Sequence, residues 1–450
     1  MQSIWTDTLH LPSFDRLTHD LKTDVLIIGG GLAGLLCAYM LRQAGVDYAL
    51  IEAEKICSGT TANTTAKLTS QHGPVYHKLL RDFGTEAARM YWEANEAALG
   101  AYRSLCSEID CDYEEKDSVV YGVHGPEILE KEKHALDQLR IPSDFESSLQ
   151  LPFPTAGGIC FHGQAQFNPL RFAAGIARDL RIFEHTAARA YDGRAIVTDH
   201  GRITAQKIIV ATHFPFLNKH GGYFLKLYQH RSYVLALTDA SPAGAMYIGD
   251  TDAGHSLRDS GRYLLLGGGA HRTGKRGGGF KALEGFARAH YPQAKEARRW
   301  ATQDCMTLDG VPYVGQYAHS TPDLYVAAGF NKWGMTSSMA AAQLLCDLVQ
   351  GKKNPYAALY DPSRTMLRPQ LMINGFEAAK SLLTPTRPRC PHMGCALKWN
   401  AQERTWDCPC HGSRFSGEGE LIDNPSTGNL RAVSPPPCAP SDCSESAELS

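Results

Sequence analysis

The first strong hydrophobic signal is at residues 25–28, Val-Leu-Ile-Ile, an unbroken apolar run of the kind found in a strand buried on both faces. A glycine turn follows, Gly29-x-Gly31-x-x-Gly34, then an apolar helical segment to about Gln43 that Gly45 ends. A second apolar strand at 48–51 finishes on Glu52. Residues 76–150, rich in Ala, Glu and Leu, read as helical cover for that first unit. A further helix is expected to start at Phe167-Asn-Pro-Leu-Arg171. Between 218 and 300 apolar and polar positions alternate, as in Tyr233-Val-Leu-Ala-Leu and Tyr263-Leu-Leu-Leu, which predicts antiparallel strands. Residues 354–383 are again largely helical in pattern.

Strand, glycine turn, helix, strand and acid stand in the order that binds an adenine dinucleotide. Gly29 permits the tight turn, Gly31 lets backbone amides approach a pyrophosphate, and Gly34 lets helix and strand pack closely. The amides of Leu32 and Ala33 open the helix, whose unpaired N–H groups and dipole favour the phosphates. Glu52 is placed to accept hydrogen bonds from a ribose, with Ala53 beside it. The loop after it, dense in small hydroxyl residues including Ser58, Thr60 and Thr61, is expected to wrap the same ligand.

On these residues the chain resembles the FAD-dependent oxidoreductases of the D-amino-acid oxidase, glycine oxidase and sarcosine oxidase type, over about residues 20–350. The resemblance implies FAD extended across the first domain, with the chain leaving and returning more than once. The strand at 207–213 resembles the family's Ala-Thr-Gly segment, with Thr212 at the cofactor and His213 in place of glycine. Thr307-Leu-Asp-Gly310-Val-Pro-Tyr-Val-Gly315 and the segment from Leu324 through Gly329 to Gly334 and Met335 resemble the family's closing elements. There, a helix starting near Met335 aims its N-terminus at the flavin and stabilises the reduced anion. Lys332 stands in that loop and is a candidate for similar electrostatic work, against the alternative of a solvent-exposed cation. On the antiparallel sheet, His271 or Arg272 is a candidate for holding a substrate carboxylate, against the alternative of a surface cation.

Composition adds little to this picture. A 450-residue chain with 43% hydrophobic and 20% charged residues fits two or three globular domains. A net charge of −2 gives no argument for nucleic acid or an anionic membrane. No apolar run has transmembrane length, and the polar N-terminus lacks a signal-peptide pattern, so a cytoplasmic protein is expected.

The 13 cysteines do change the picture, because six fall after residue 389. Cys390-x-His392 and Cys408-x-x-His411 resemble a Rieske site, in which two thiolates hold one iron and two imidazoles the other iron of a [2Fe–2S] cluster. A Cys2His2 zinc site is a further option for these donors. Cys395 and Cys410 stand where the high-potential Rieske proteins have a disulfide, and Ser413 matches their hydroxyl donor to a cluster sulfur. Phe415 stands where such proteins often carry Tyr, which implies one hydrogen bond fewer and a lower potential. Residues 398–400 and 405–407 read as a hairpin around Ala401-Gln-Glu-Arg404. Only 384–389 remain before Cys390, too few for a base sheet. Either the hairpin packs on the FAD domain or the module is a remnant.

The expected fold is α/β: a Rossmann-like FAD-binding domain (1–75, 155–217, 302–352) interleaved with an α+β substrate domain (76–154, 218–301). A helical linker (353–384), a small β-rich Rieske-like module (385–433) and a disordered Pro/Ser-rich tail (434–450) follow. The function expected is a dehydrogenase for a small amine or amino-acid-like substrate, passing electrons from FAD through the cluster to an external acceptor, with reversed flow from a donor also open. An oxygen-using oxidase with a vestigial C-terminus, and a non-catalytic redox-sensing or metal-binding module, stand as alternatives.

Overall fold

The structure, a computed structural model, describes residues 2–6, 11–218, 220–385, 388–431 and 433. The expected disordered tail, 434–450, lies outside the described residues. The strand Leu21–Ile28 is the centre of an eight-stranded sheet. Tyr48–Ile51 and Arg202–Val210 flank it in parallel, and Leu324–Ala328 extends the sheet in parallel beyond Arg202–Val210. The strand begins four residues before its apolar run, because Lys22 and Asp24 are exposed and only Leu21 and Thr23 turn inward there. Helices Leu32–Gln43 and Gly334–Val349 cover one face, and Ile27, Leu36, Leu50, Ile209 and Leu345 share a fully buried core. A parallel sheet of this kind puts its ligand at the carboxyl ends of the strands.

A nine-stranded sheet forms the second body. Its long antiparallel core is Leu227–Thr238 between Tyr263–Arg272 and Lys295–Thr307, as the alternation predicts. The reading of 76–150 as helical is corrected here. Helices Tyr76–Cys106 and Glu127–Leu139 are present, but Glu114–Tyr121 and Asp144–Glu146 are strands of this sheet. Their signal is hidden because Glu114 to Asp117 are charged and stay outside, while Ser118 to Tyr121 alone are buried. The return helix, Pro169–Ala177, is capped as expected: Asn168 accepts from the amides of Leu170 and Arg171.

The C-terminal module is a four-stranded sheet of short strands, beginning with the hairpin Lys398–Asn400 and Thr405–Asp407. It rests on the antiparallel body. Arg231 pairs with Glu403, and Arg414 with Glu403, Asp407 and Asp423, all but Asp423 nearly buried. Phe280 N donates to Gln402 Oε1 at 3.0 Å, and Gly274 has room for no side chain, since a Cβ there would lie 2.7 Å from Pro409 N. Of the two options left by the missing base sheet, the structure takes the first, packing on the oxidoreductase part of the chain. The antiparallel body supplies most of the base, and the flavin-binding part adds Thr212 O and Phe214 O, which accept from Asn424 Nδ2.

Candidate functional site

The glycine turn has the geometry its residues predict. Gly29 takes φ +112°, and a Cβ on it would lie 2.5 Å from Ala211 O. A Cβ on Gly34 would lie 1.9 Å from Gly29 O, so this is a contact only glycine allows. Gly31, Leu32, Ala33, Thr60 and Thr61 line a cavity of about 1020 Å³, and Thr61 Oγ1 accepts from Leu32 N at 3.1 Å. Glu52 turns its carboxylate to the turn itself: Oε2 accepts from Gly30 N at 2.6 Å and Oε1 from Glu54 N at 3.0 Å. Burial raises its pKa against the pull of those amides. Glu52, Ala53 and Ser58 stand outside the cavity lining, and Ser58 Oγ donates to Lys55 O.

Thr212, His213, Gly310, Gly329, Lys332, Gly334 and Met335 line the same cavity, joined by Trp333 at the opening of the Gly334–Val349 helix. His213 takes φ +65°, the left-handed region that favours glycine. Lys332, at φ +72°, holds its ammonium 3.7 Å from Asp252. His271 and Arg272 stand outside the lining. Arg272 is engaged elsewhere, donating to Pro409 O, Cys410 O and Asn374 Oδ1. His271 stacks on Tyr233.

Three cavity residues were not anticipated. Lys67 is buried, bonded to Ser256 Oγ, and burial with Arg258 nearby brings its pKa down to about 7. Arg258 spends its own donors on Thr65 O and Ala66 O, so no carboxylate neutralises Lys67 among the described residues. His72 bridges Tyr91 and Thr336 and stacks on Trp333, with burial holding its pKa near 3 and the ring neutral. Asp304 is enclosed next to Ser232, and burial raises its pKa. The sequence signal for Lys67 is a lone cation inside a hydroxyl-rich loop.

The Cys/His motifs converge. Cys390 and Cys408 are buried free thiols in hydrogen-bond contact, which holds the Cys390 thiol below its usual range, with Ser413 also donating to it. The His392 and His411 rings lie 4.9 Å apart, and both Nδ1 atoms are buried without a hydrogen-bond partner. Burial keeps both rings neutral, at about 4 and about 3. His392 Nε2 is fixed from outside the module by Asn218 Oδ1 at 2.8 Å, and the Phe224 backbone lies beside the His411 ring. Two adjacent thiols and two neutral imidazoles with free Nδ1 atoms fit a His-ligated [2Fe–2S] cluster, and the outer partner of His392 fixes the tautomer such ligation needs. Cys395 and Cys410 form the disulfide that ties the two loops.

The two sites share a wall. His213 Nε2 meets Gln229 Oε1 at 3.0 Å, and Gln229 Nε2 donates to His411 O at 3.1 Å. Gln303 repeats the link: its carbonyl accepts from Thr60 Oγ1 at 3.4 Å, and its Nε2 donates to Gly412 O at 2.8 Å.

Residues 24–348 match the model of the FAD dependent oxidoreductase family, and residues 376–434 that of the Rieske [2Fe-2S] domain. YhfW of Bacillus subtilis (strain 168), a protein named for a Rieske 2Fe-2S iron-sulfur centre, is 33% identical over 96% of this chain and 97% of its own length. The cytochrome b6-f complex iron-sulfur subunit of Synechococcus sp. (strain JA-3-3Ab) is 44% identical over 45 residues, 10% of this chain and 26% of that one. Among solved structures, glycine oxidase from Geobacillus kaustophilus superposes with a TM-score of 0.64 at 18% identity, over 77% of this chain and all of that one, a likeness of fold.

Proposed function

The chain belongs to the FAD dependent oxidoreductase family and carries a Rieske [2Fe–2S] domain at its C-terminal end, and from that premise we propose a dehydrogenase for a small amino acid or similar amine, with the cluster as its electron outlet. When bound, FAD supplies two-electron oxidation of a carbon–nitrogen bond, and the cluster supplies one-electron exchange. The observation that carries this reading is the shared wall: Gln229 touches both a cavity residue, His213, and the backbone of a cluster ligand, His411.

The chain's own residues supply binding and orientation. The narrow turn at Gly29 and Gly34 and the Ala33 amide at the helix opening would hold the pyrophosphate, while Thr61 Oγ1 takes the Leu32 amide beside them. Gly334 and Met335 direct the positive end of their helix into the cavity, where it favours negative charge. Lys332 adds a cation on the same side. Lys67, unneutralised and buried, is the group we assign to the substrate carboxylate, in place of His271 or Arg272. Enclosed Asp304, whose pKa burial raises, is the group we assign to accept a proton from a substrate ammonium, and His72, neutral and bonded at both ring nitrogens, shapes the wall beside it. Cys390, His392, Cys408 and His411 hold the cluster, and Gln229 and Gln303 fix its second loop to the cavity wall.

The experiment is anaerobic titration of the purified holoprotein with a panel of small amino acids and amines, following flavin absorbance and the low-temperature EPR spectrum together. Bleaching of the flavin with growth of the cluster signal is the expected result. Bleaching with a silent cluster, followed by rapid peroxide formation in air, overturns the outlet role and leaves a plain oxidase.

A further inference from the structure

The helix Pro369–Leu383 is inside out. Its buried residues are polar, Asn374 and Ser381, and Asn374 Oδ1 accepts from Arg272 and from Gln370. Its solvent face carries Met372, Phe376 and Leu383, which are 77%, 68% and 83% exposed, and Leu367 in the turn before it is 85% exposed. With 3.6 residues per turn, Met372, Phe376, Ala379 and Leu383 form one stripe along the helix. Seven of the ten exposed large hydrophobic residues among the described residues fall between 367 and 393. A surface helix of a globular protein normally has the opposite orientation, and a patch of this kind marks an interaction surface.

The charges around the stripe select its partner. Lys380 lies on the exposed side, and Arg389 is exposed at the C-terminal end, where its guanidinium donates to Leu382 O, Thr384 O and Gly394 O. The carboxylate on the helix, Glu377, is paired with Lys275. The rim is therefore cationic. A second copy on this face would add the same two cations to the rim with no exposed carboxylate of the helix to offset them. Residues 434–450 contain one large apolar side chain, Leu449, too little to cover the stripe.

We propose that the Pro369–Leu383 helix is an interfacial anchor that lies flat on an anionic lipid leaflet, its apolar stripe in the headgroup–acyl boundary and its cations at the phosphates. The helix does not cross the bilayer, and no helix among the described residues is long and apolar enough to do so. The overall charge of −2 hides this surface, because the relevant quantity is the local rim. Docking there has a consequence at each end. Arg368, Pro369, Gln370 and Ile373 line the flavin cavity, and Ala396 N donates to Ser381 O, which ties the first cluster loop to the last turn. The lipid surface would thus face both the cavity mouth and the loop that carries half-exposed Met393.

The test is co-sedimentation of the full-length holoprotein with vesicles of phosphatidylcholine alone, and with vesicles of equal parts phosphatidylcholine and phosphatidylglycerol, at low ionic strength. Flavin absorbance measures the bound fraction without reference to turnover. Pelleting with the anionic vesicles, released by salt, is expected. The doubly substituted Phe376→Glu, Leu383→Glu protein should bind roughly tenfold more weakly or less, and Lys380→Gln roughly fivefold more weakly. Both positions of the double variant are exposed, so its flavin spectrum and iron content should match the parent. Failure of the parent to pellet, or equal binding by the double variant, overturns the proposal. So does a vesicle-free dimer in sedimentation equilibrium that Phe376→Glu converts to monomer, which would assign the stripe to a second copy.

Discussion

The Nε2 of His392 lies 2.8 Å from Oδ1 of Asn218, so a residue outside the Rieske domain sets the tautomer of the imidazole we propose as a cluster ligand. With Nε2 donating outward, Nδ1 carries the lone pair that metal ligation needs. Asn218→Leu is expected to weaken cluster retention by about 10–100-fold, the usual effect of losing such an outer partner. Iron content after gel filtration and the reduced EPR spectrum measure it, and unchanged retention would remove Asn218 from the site.

Glu403 ties the module to its base. It accepts from Arg231, Tyr233 and Arg414, and all three charged groups are nearly buried. Breaking a buried ion network by removing one member leaves a charge without its partner, at a cost of about 3–5 kcal/mol. Glu403→Gln is expected to lower the thermal midpoint of the module, read from cluster bleaching, while the flavin transition stays higher.

The same carboxylate sets an acid limit. Burial pushes its pKa up, but Arg414 and Arg231 outweigh that, and the net shift is downward. A carboxylate with a lowered folded-state pKa contributes stability that is present above its unfolded value and is lost as pH falls through the folded one. The cluster module is therefore expected to loosen below the ordinary carboxylate range. In Glu403→Gln this acid step should be absent, which acid titration of the cluster absorbance checks.

Lys67 should give the cavity a pH profile. Its pKa of about 7 means the free protein loses this cation as pH rises through neutrality. KM for a carboxylate substrate is expected to rise over that range, with kcat changing less. Lys67→Met should raise KM about tenfold or more, consistent with loss of a charge-assisted hydrogen bond, and flatten the profile. It should also raise the thermal midpoint, since burying an unpaired ammonium opposes folding. A KM that is indifferent to Lys67→Met would return the carboxylate to another residue.

Gly34→Ala tests the cofactor cradle. The added Cβ would meet the Gly29 carbonyl oxygen at 1.9 Å, and backbone cannot yield as a flexible side chain can. The variant is expected to purify without flavin absorbance and with a lowered thermal midpoint. Full flavin content would show that the turn relaxes.

Much of this was readable from local pattern. The glycine turn, the helix that follows it, the hairpin around 401–404 and the Cys/His spacing each depend on a few neighbouring residues, and each appears where the sequence placed it. What escaped depends on distant partners. Glu114 to Tyr121 pairs with 158–166 and 246–249 across the second sheet, so its charged half carried no strand signal. Arg272 looked available for substrate because nothing near it in sequence announces Pro409 or Cys410. Lys67 escaped notice in the sequence because the groups that enclose it, Ser256 and Arg258, come from a strand 189 residues and more along the chain. Seating of the cluster loops on Gln229 and Gln303 has no local signature at all.

That seating has a kinetic corollary. A module that borrows its floor from its neighbour has no hinge to swing on, and the spacing between the two redox sites is inherited from one covalent chain. Transfer inside the molecule should then be indifferent to protein concentration and to added viscogen, whereas delivery to an outside partner should slow with both dilution and viscosity. The C-terminal segment expressed by itself, deprived of Gln229, Gln303 and Asn218, should fail to keep its iron.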